Sequence, residues 1–555
     1  MESNGNGGDR SIDRLDSWKE IAAYLKRDTR TVQRWEKHEH LPVRRKLHDK
    51  LGSVYAFKRE LDAWWNEGRP ALGIEPLAPV AVARPRLAVL PLRNLSGDPS
   101  QEYFSEGLTE ELIAQLSRID PARLGVIARS SVTTYLARQR GIDNIERDLG
   151  VGYVLDGSVR RGHERVRISV QLIRTRDQSH VWAETYDRDL PDILELQSEV
   201  ARAVTAEITA KMASPASRSP GPVDPETYSA YLMGRCFWNK RTLEGLMKAI
   251  EHLERAASST PTYAPALAGL ADCHALLANI EVGLVPAVEA MPKAKAAAER
   301  ALALDPTLGE AHASLGFAHF WFDWDWPAAE AEFKRAIELR PDYATARQWY
   351  AAYLQSLSRM DEATSEIRRA LELDPLSNVL RAELAALYYL ERDYDRSVEL
   401  SRQTLDLDPR FWLAYFNLGR SLTQKGEHRA AVAELKQAYE LSEGSSGMTM
   451  ALGHAYAAAG KKGEALKMID TLTKLARRRY VPAFYTAAIY AGLGDREKVF
   501  AYLAKARAER CDYLVHLPKE PAADAYRDDP RFAQIVPRVG QRQPPDVALQ
   551  SSSGP

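Results

Sequence analysis

Four segments, LALDP, IELRP, LELDP and LDLDP, end at Pro306, Pro341, Pro375 and Pro409, spaced 35, 34 and 34 residues apart. A chain repeating at this interval cannot bury each unit alone. Every unit covers its apolar face with the next, so the period dictates a stack rather than one central core. The residues between the prolines keep the same phase. Leu315-Gly316, Tyr350-Ala351, Leu384-Ala385, Leu418-Gly419 and Leu452-Gly453 supply a close-packing pair in the first helix of each unit, and Ala329, Ala363, Ala431 and Ala465 a small position in the second. The phase runs back through Ala256, Pro261 and Ala271 and forward through Tyr490 and Ala506, predicting about eight helix pairs over 226–540. An insertion around Glu281 to Pro292 lengthens the second unit, and YRDDPRFAQIVPRVG, Tyr526 to Gly540, suits a cap.

Over roughly Tyr228 to Arg510 this pattern resembles the tetratricopeptide repeat (TPR) family. The resemblance implies an all-α superhelical solenoid, right-handed, whose concave groove takes a protein or peptide partner. WFDWDW, Trp321 to Trp326, has the composition of an aromatic ligand cage, but its place between the two helices of one unit favours a packed corner. ARRRY, Ala476 to Tyr480, is read as a solvated helix end, where cations suit the dipole, over a phosphate patch.

Ahead of the repeats, 86–213 alternates strand and helix. RLAVLPLRNLSGD reads as a buried strand and loop, Glu102 to Ile119 as a helix, and Gly125 to Arg129 as a second strand. A short helix and three strands follow, Tyr153 to Arg160, Arg165 to Ile173 and His180 to Asp187, then a closing helix. In the second of these strands Val166, Ile168, Val170 and Leu172 alternate with Arg165, Arg167, Ser169 and Gln171, so one face is apolar and the other wet. The order predicts a two-layer α/β domain. AVLPLRNLSGDPSQEYFSEGLTEELIAQLSRI, VIARSS, DLGVGYVLDGSVRR and HVWAETYDRDLPDILELQSEVARAV resemble a TolB-like or FlgO-like amino-terminal domain. Such a resemblance implies a fold and a neighbourhood, not a reaction.

The head, 15–69, opens with Ser17 and Glu20 at capping-box spacing, which starts a helix over WKEIAAYL. KRDT turns the chain into a second helix, Arg30 to His38, with Val32 and Trp35 inward and Arg30, Thr31, Gln33, Arg34 and Lys37 outward. A hairpin or wing carries Arg44, Arg45 and Lys46, and Lys58 to Trp65 closes the unit. WKEIAAYL, TRTVQRWEKHEHLP and VYAFKRELDAWW resemble the MerR-like or excisionase-like winged helix-turn-helix. That resemblance implies DNA binding, with Arg30, Thr31, Gln33, Arg34 and Lys37 on the recognition helix and Arg44, Arg45 and Lys46 on phosphates or a minor groove. The alternative is a basic face on a small protein-binding domain. So small a module makes few contacts, which makes a homodimer or several half-sites the expected arrangement.

A net charge of -1 over 555 residues leaves no global field for polyanions, so DNA binding has to be local. Three scattered cysteines, Cys236, Cys273 and Cys511, suggest a reducing compartment, and neither a secretory signal nor a run of ~18 apolar residues is present. The expected location is the cytoplasm. Proline-rich linkers at 70–85 and 214–225 separate head, middle and tail as independent units, while 1–14 and 541–555 are expected to be disordered. No Walker A, kinase, GxSxG or HExxH signature occurs, so the sequence predicts no enzyme, no cofactor and no metal. Two functions stand: a DNA-binding regulator with a protein-interaction array, or a non-catalytic scaffold whose head does not touch DNA.

Overall fold

The computed structural model describes residues 14–25, 29, 32–33, 36, 41–46, 53–64, 84–121, 123–137, 144–162, 165–208, 223–240, 242–278 and 285–537. Most of both linkers, the amino-terminal segment and the tail lie outside these residues. The chain divides into two units, Met1–Val80 and Ala81–Pro555.

In the first unit β1 (Arg14–Leu15), β2 (Arg44–Lys46) and β3 (Ser53–Phe57) form an antiparallel sheet with β3 central. The helix Trp18–Tyr24 begins where the sequence places it. Ser17 Oγ accepts from Glu20 N at 3.2 Å, and Glu20 Oε2 accepts from Asp16 N at 2.9 Å, so the return bond of the capping box lands one residue early. Ile21, Val32, Leu41, Ala56 and Leu61 make the core. The helix Lys58–Ala63 closes on it, its Asp62 accepting from Tyr24 Oη at 2.9 Å.

The second unit starts with β4 (Arg86–Val89), β5 (Arg93–Asn94), β6 (Gly125–Val126), β7 (Tyr153–Arg161), β8 (Arg165–Arg174) and β9 (His180–Asp189), ordered β6-β4-β7-β8-β9 with β5 also beside β7. Helical crossovers leave β4, β6 and β7 parallel, and hairpins leave β7, β8 and β9 antiparallel, as connection length requires. The alternation read in β8 is real: Val166, Ile168, Val170 and Leu172 are buried, while Arg165 and Arg167 lie outside, paired with Asp187. The helices Glu102–Ile119 and Ile193–Ile208 pack against each other.

Behind this domain the described residues hold eight helix pairs, from Pro225–Trp238 with Leu243–Ser259 to Ala483–Leu493 with Arg496–Ala508. The predicted close-packing pairs bring the paired helices close: a Cβ on Gly419 would sit 2.4 Å from Leu435 Cγ. WFDWDW forms a π-turn, His319–Asp323, and a left-handed Trp324 with φ 57°. Trp324 and Trp326 are fully buried, and Arg510 stacks over Trp324 at 4.2 Å, so the stretch is a packed corner. ARRRY ends the helix Lys462–Ala476, and its Tyr480 donates to Glu509 at 3.1 Å.

Two features differ from the sequence reading. The α/β domain is not independent of the array but is bolted to it. Ser130 Oγ donates to Asp374 at 2.6 Å, Ser131 Oγ donates to the other oxygen of that carboxylate, and Ala128 N donates to Leu373 O at 2.8 Å. Gly107 lets the helix Glu102–Ile119 approach Leu232 of the first pair, where a Cβ would sit 2.8 Å away. The array also closes on itself. Arg510 Nη1 donates to Phe322 O at 3.3 Å, Glu520 accepts from Tyr389, and Arg392 pairs with Asp524 at 2.7 Å, joining the carboxyl-terminal segment to the third and fifth pairs. The concave groove read as a partner site is covered from both sides.

Candidate functional site

Between the α/β domain and the first helices of the array lies a chamber of about 1010 Å³. Glu111, Arg129 and Ser130 of the α/β domain, Arg235, Trp349, Glu383 and Arg420 of the array, and His516 of the closing segment are among its walls. Apart from Asn239, Thr242, Leu243 and Trp321, the repeat residues in its wall belong to the first helices or the turns before them, because the second helices of each pair form the outer layer.

The wall is strongly charged, and most of that charge is committed to pairs within or between the domain and the array. Tyr231 Oη donates to Glu111 at 2.7 Å; burial pushes the Glu111 carboxyl up, and this bond pulls against it. Glu310 is partly buried, which works against its charged form, yet Arg340 and Arg118 hold it down at about 2. Burial raises Asp374 despite the two serine hydroxyls that bind it. Arg129 reaches Glu106 at 3.2 Å and Glu110 at 3.7 Å, and Arg235 reaches Asp272 at 3.4 Å. The Glu111, Glu310 and Asp374 contacts join domain and array, whereas Arg129 pairs within the α/β domain and Arg235 within the array. No group of three His, Cys, Asp or Glu able to hold a metal ion occurs among the described residues.

A second set in the chamber is not so employed: Glu383, Asn417, Arg420 and His516. The sequence reading passed over them. A signal existed, since Glu383 and Asn417 recur 34 residues apart in helices where apolar side chains face inward.

The residues read as a DNA surface fall in the first unit. Arg30, Thr31, Arg34, Lys37 and the side chain of Lys46 lie outside the described residues. Gln33 is exposed beside buried Val32. Arg44 and Arg45 project from β2, where they bond Glu60 at 3.0 Å and Glu36 at 2.9 Å.

The architecture defines a repeat protein whose array carries an α/β domain on its inner face. Residues 83–203 match the family described as HilA/YgeH-like transcriptional regulator, second domain, and 413–444 match the tetratricopeptide repeat. The family match thus names a HilA/YgeH-like domain where the sequence suggested a TolB-like one. A protein of Rhizobium meliloti (strain 1021) named putative adenylate cyclase 3 is 35% identical over 263 residues, covering 45% of this chain and 43% of the relative. The chain therefore spans less than half the length of that relative. Among solved structures, a tetratricopeptide repeat protein from Parabacteroides merdae ATCC 43184 is 16% identical, covering 49% of this chain and all of that one with a TM-score of 0.36. A thermophilic TPR protein of Thermus thermophilus is 18% identical, covering 35% of this chain and 98% of that one with a TM-score of 0.30.

The relative from Rhizobium meliloti corrects one expectation, that the chain is no enzyme. That expectation rested on missing short motifs. Catalytic groups assembled from distant positions leave no such motif, so their absence from the sequence decides nothing.

Proposed function

We propose that this chain is a DNA-binding transcriptional regulator in which 15–69 contacts DNA while the α/β domain and the array form the regulatory body. The observation that carries the reading is the match of 83–203 to a HilA/YgeH-like transcriptional regulator domain, preceded by a basic head. The likeness of the head to MerR-like winged helix-turn-helix units supports the finer assignment. Arg30, Thr31, Gln33, Arg34 and Lys37 read bases, and Arg44, Arg45 and Lys46 hold phosphates. Surface ion pairs such as those of Arg44 and Arg45 are worth only ~0–1 kcal/mol, so a phosphate displaces Glu60 or Glu36 at little cost. A homodimer would present two such heads to two half-sites, and the array's outer surfaces take a protein or peptide partner in the cytoplasm.

Duplex binding by the intact chain, followed by fluorescence anisotropy across salt concentrations, tests this. Arg44→Ala is expected to weaken all sequences alike and to reduce the salt slope by about one. Arg34→Ala is expected to cost ~1–3 kcal/mol at one base position and to relax preference there. Unchanged binding in both variants removes these residues from any DNA surface.

A second reading follows from the relative named putative adenylate cyclase, namely that this chain forms cyclic AMP. Its test is release of cyclic AMP from ATP and magnesium by the intact chain.

A further inference from the structure

The chamber holds a polar ladder that packing does not account for. Ser314, Glu383 and Asn417 occupy one place in the first helices of the third, fifth and sixth pairs, a place Trp349 takes in the fourth, where Gln348 stands one residue before it. Ser314 is used up by buried Asp272, to which its hydroxyl donates. Gln348, Glu383 and Asn417 line the chamber. Gln348 Nε2 reaches Glu383 Oε1 at a long 3.4 Å, the one hydrogen bond to that carboxylate among the described residues. Asn417 is 1% exposed; its Nδ2 donates to Ala382 O at 2.8 Å, and its Oδ1 is buried with no partner among the described residues.

Beside this ladder stands Arg420, whose guanidinium lies over the rings of Tyr389 at 4.1 Å and Phe416 at 4.9 Å. Among the described residues no ion pair engages it, and its Nε is buried without a partner. His516 faces it from the closing segment with Nδ1 likewise unpartnered; burial and the Arg420 charge lower this imidazole to about 4, so it stays neutral and offers Arg420 no counter-charge. Burial raises Glu383, and Gln348 and Arg420 only partly offset this. Ala386 and Ala352 fill the places that Arg420 holds in the two preceding repeats, which leaves space beside it. A guanidinium and a carboxylate that share one cavity and form no pair with each other are each costly to leave without a counter-charge. A molecule bearing both opposite charges satisfies each of them.

We infer that the chamber binds a small zwitterion of the free α-amino acid class, its carboxylate on Arg420 and its ammonium on Glu383. Asn417 Oδ1 accepts a further N–H from the ligand, and Phe416, Trp412 and Trp349 supply an apolar wall for its side chain. The α/β domain on one side and the carboxyl-terminal segment on the other exclude a long peptide.

Calorimetric titration of the intact chain, without DNA, with each of the common amino acids tests this separately from the function of the head. At least one amino acid is expected to bind, and its amine and carboxylic acid analogues, each lacking one charged group, to bind about tenfold more weakly or worse. Arg420→Gln is expected to abolish discrimination between the amino acid and its amine, and Glu383→Gln that between the amino acid and its carboxylic acid. Ala386→Phe, which fills the chamber from an uncharged position, is expected to abolish binding with helical circular dichroism unchanged, and decides the matter should a Gln variant fail to fold. The inference is overturned if no amino acid binds, if binding survives Ala386→Phe, or if a neutral disaccharide, inorganic phosphate or a ten-residue peptide binds in preference.

Discussion

Glu310→Gln is expected to cost the second unit about 3 to 5 kcal/mol, the usual penalty for removing one partner of a buried ion pair. Glu310 stands at the start of the helix Gly309–Ala318 between Arg340, only 9% exposed, and Arg118 of the α/β domain at 3.3 Å. The amide leaves Arg340 buried with Asp342 as its remaining carboxylate, at 3.1 Å, and frees Arg118. Most of the loss falls on the Arg340 arm, because Arg118 is 40% exposed and solvent screens its share. The sign with pH follows from the lowered carboxyl. Glu310 sits at about 2 when folded against an ordinary value of 4.5, so its contribution is complete above the ordinary value and is lost as pH falls toward 2. Urea unfolding of the wild type and the variant is therefore expected to differ most at neutral pH and to converge in acid. A difference that stays constant down to pH 2 would show that Glu310 acts through packing instead.

Gly419→Leu is expected to cost about 3 kcal/mol or more, at the upper end for overpacking. The Cβ alone would lie 2.4 Å from Leu435 Cγ, and the full side chain has to push the helix His428–Leu441 off the helix Trp412–Gln424. Each pair leans on its neighbours, so hydrogen exchange should speed up most over Trp412–Leu441 and recover with distance along the array. Because the array closes on itself, the loosening should also reach the closing segment beside Arg420. Duplex binding by the head is expected to survive. Uniform loosening of the entire array would mean that it unfolds as one block.

What could be read from sequence was what is local. The proline spacing fixed the repeat, alternation in β8 fixed its faces, and Ser17 with Glu20 fixed a helix start to within a residue. What could not be read joins distant positions. Nothing near Ser130 marks Asp374 as its partner, and neither residue is unusual in its own segment. Gly107 gave a faint sign, since glycine inside a helix is unfavourable unless something must come close. The same limit hid the chamber. Glu383 and Arg420 stand in neighbouring repeats, but His516 joins them only because the array curves back until its end touches its middle, and no pattern within one repeat encodes that closure.

Sequencing of the DNA that co-purifies with the intact chain tests the central claim most directly. A regulator that reads bases through Arg30, Gln33 and Arg34 should enrich a small set of sites sharing one motif, in paired copies if two heads act together, and Arg34→Ala should disperse that enrichment. Recovered DNA that matches the genome at random, in the wild type as in the variant, would contradict it.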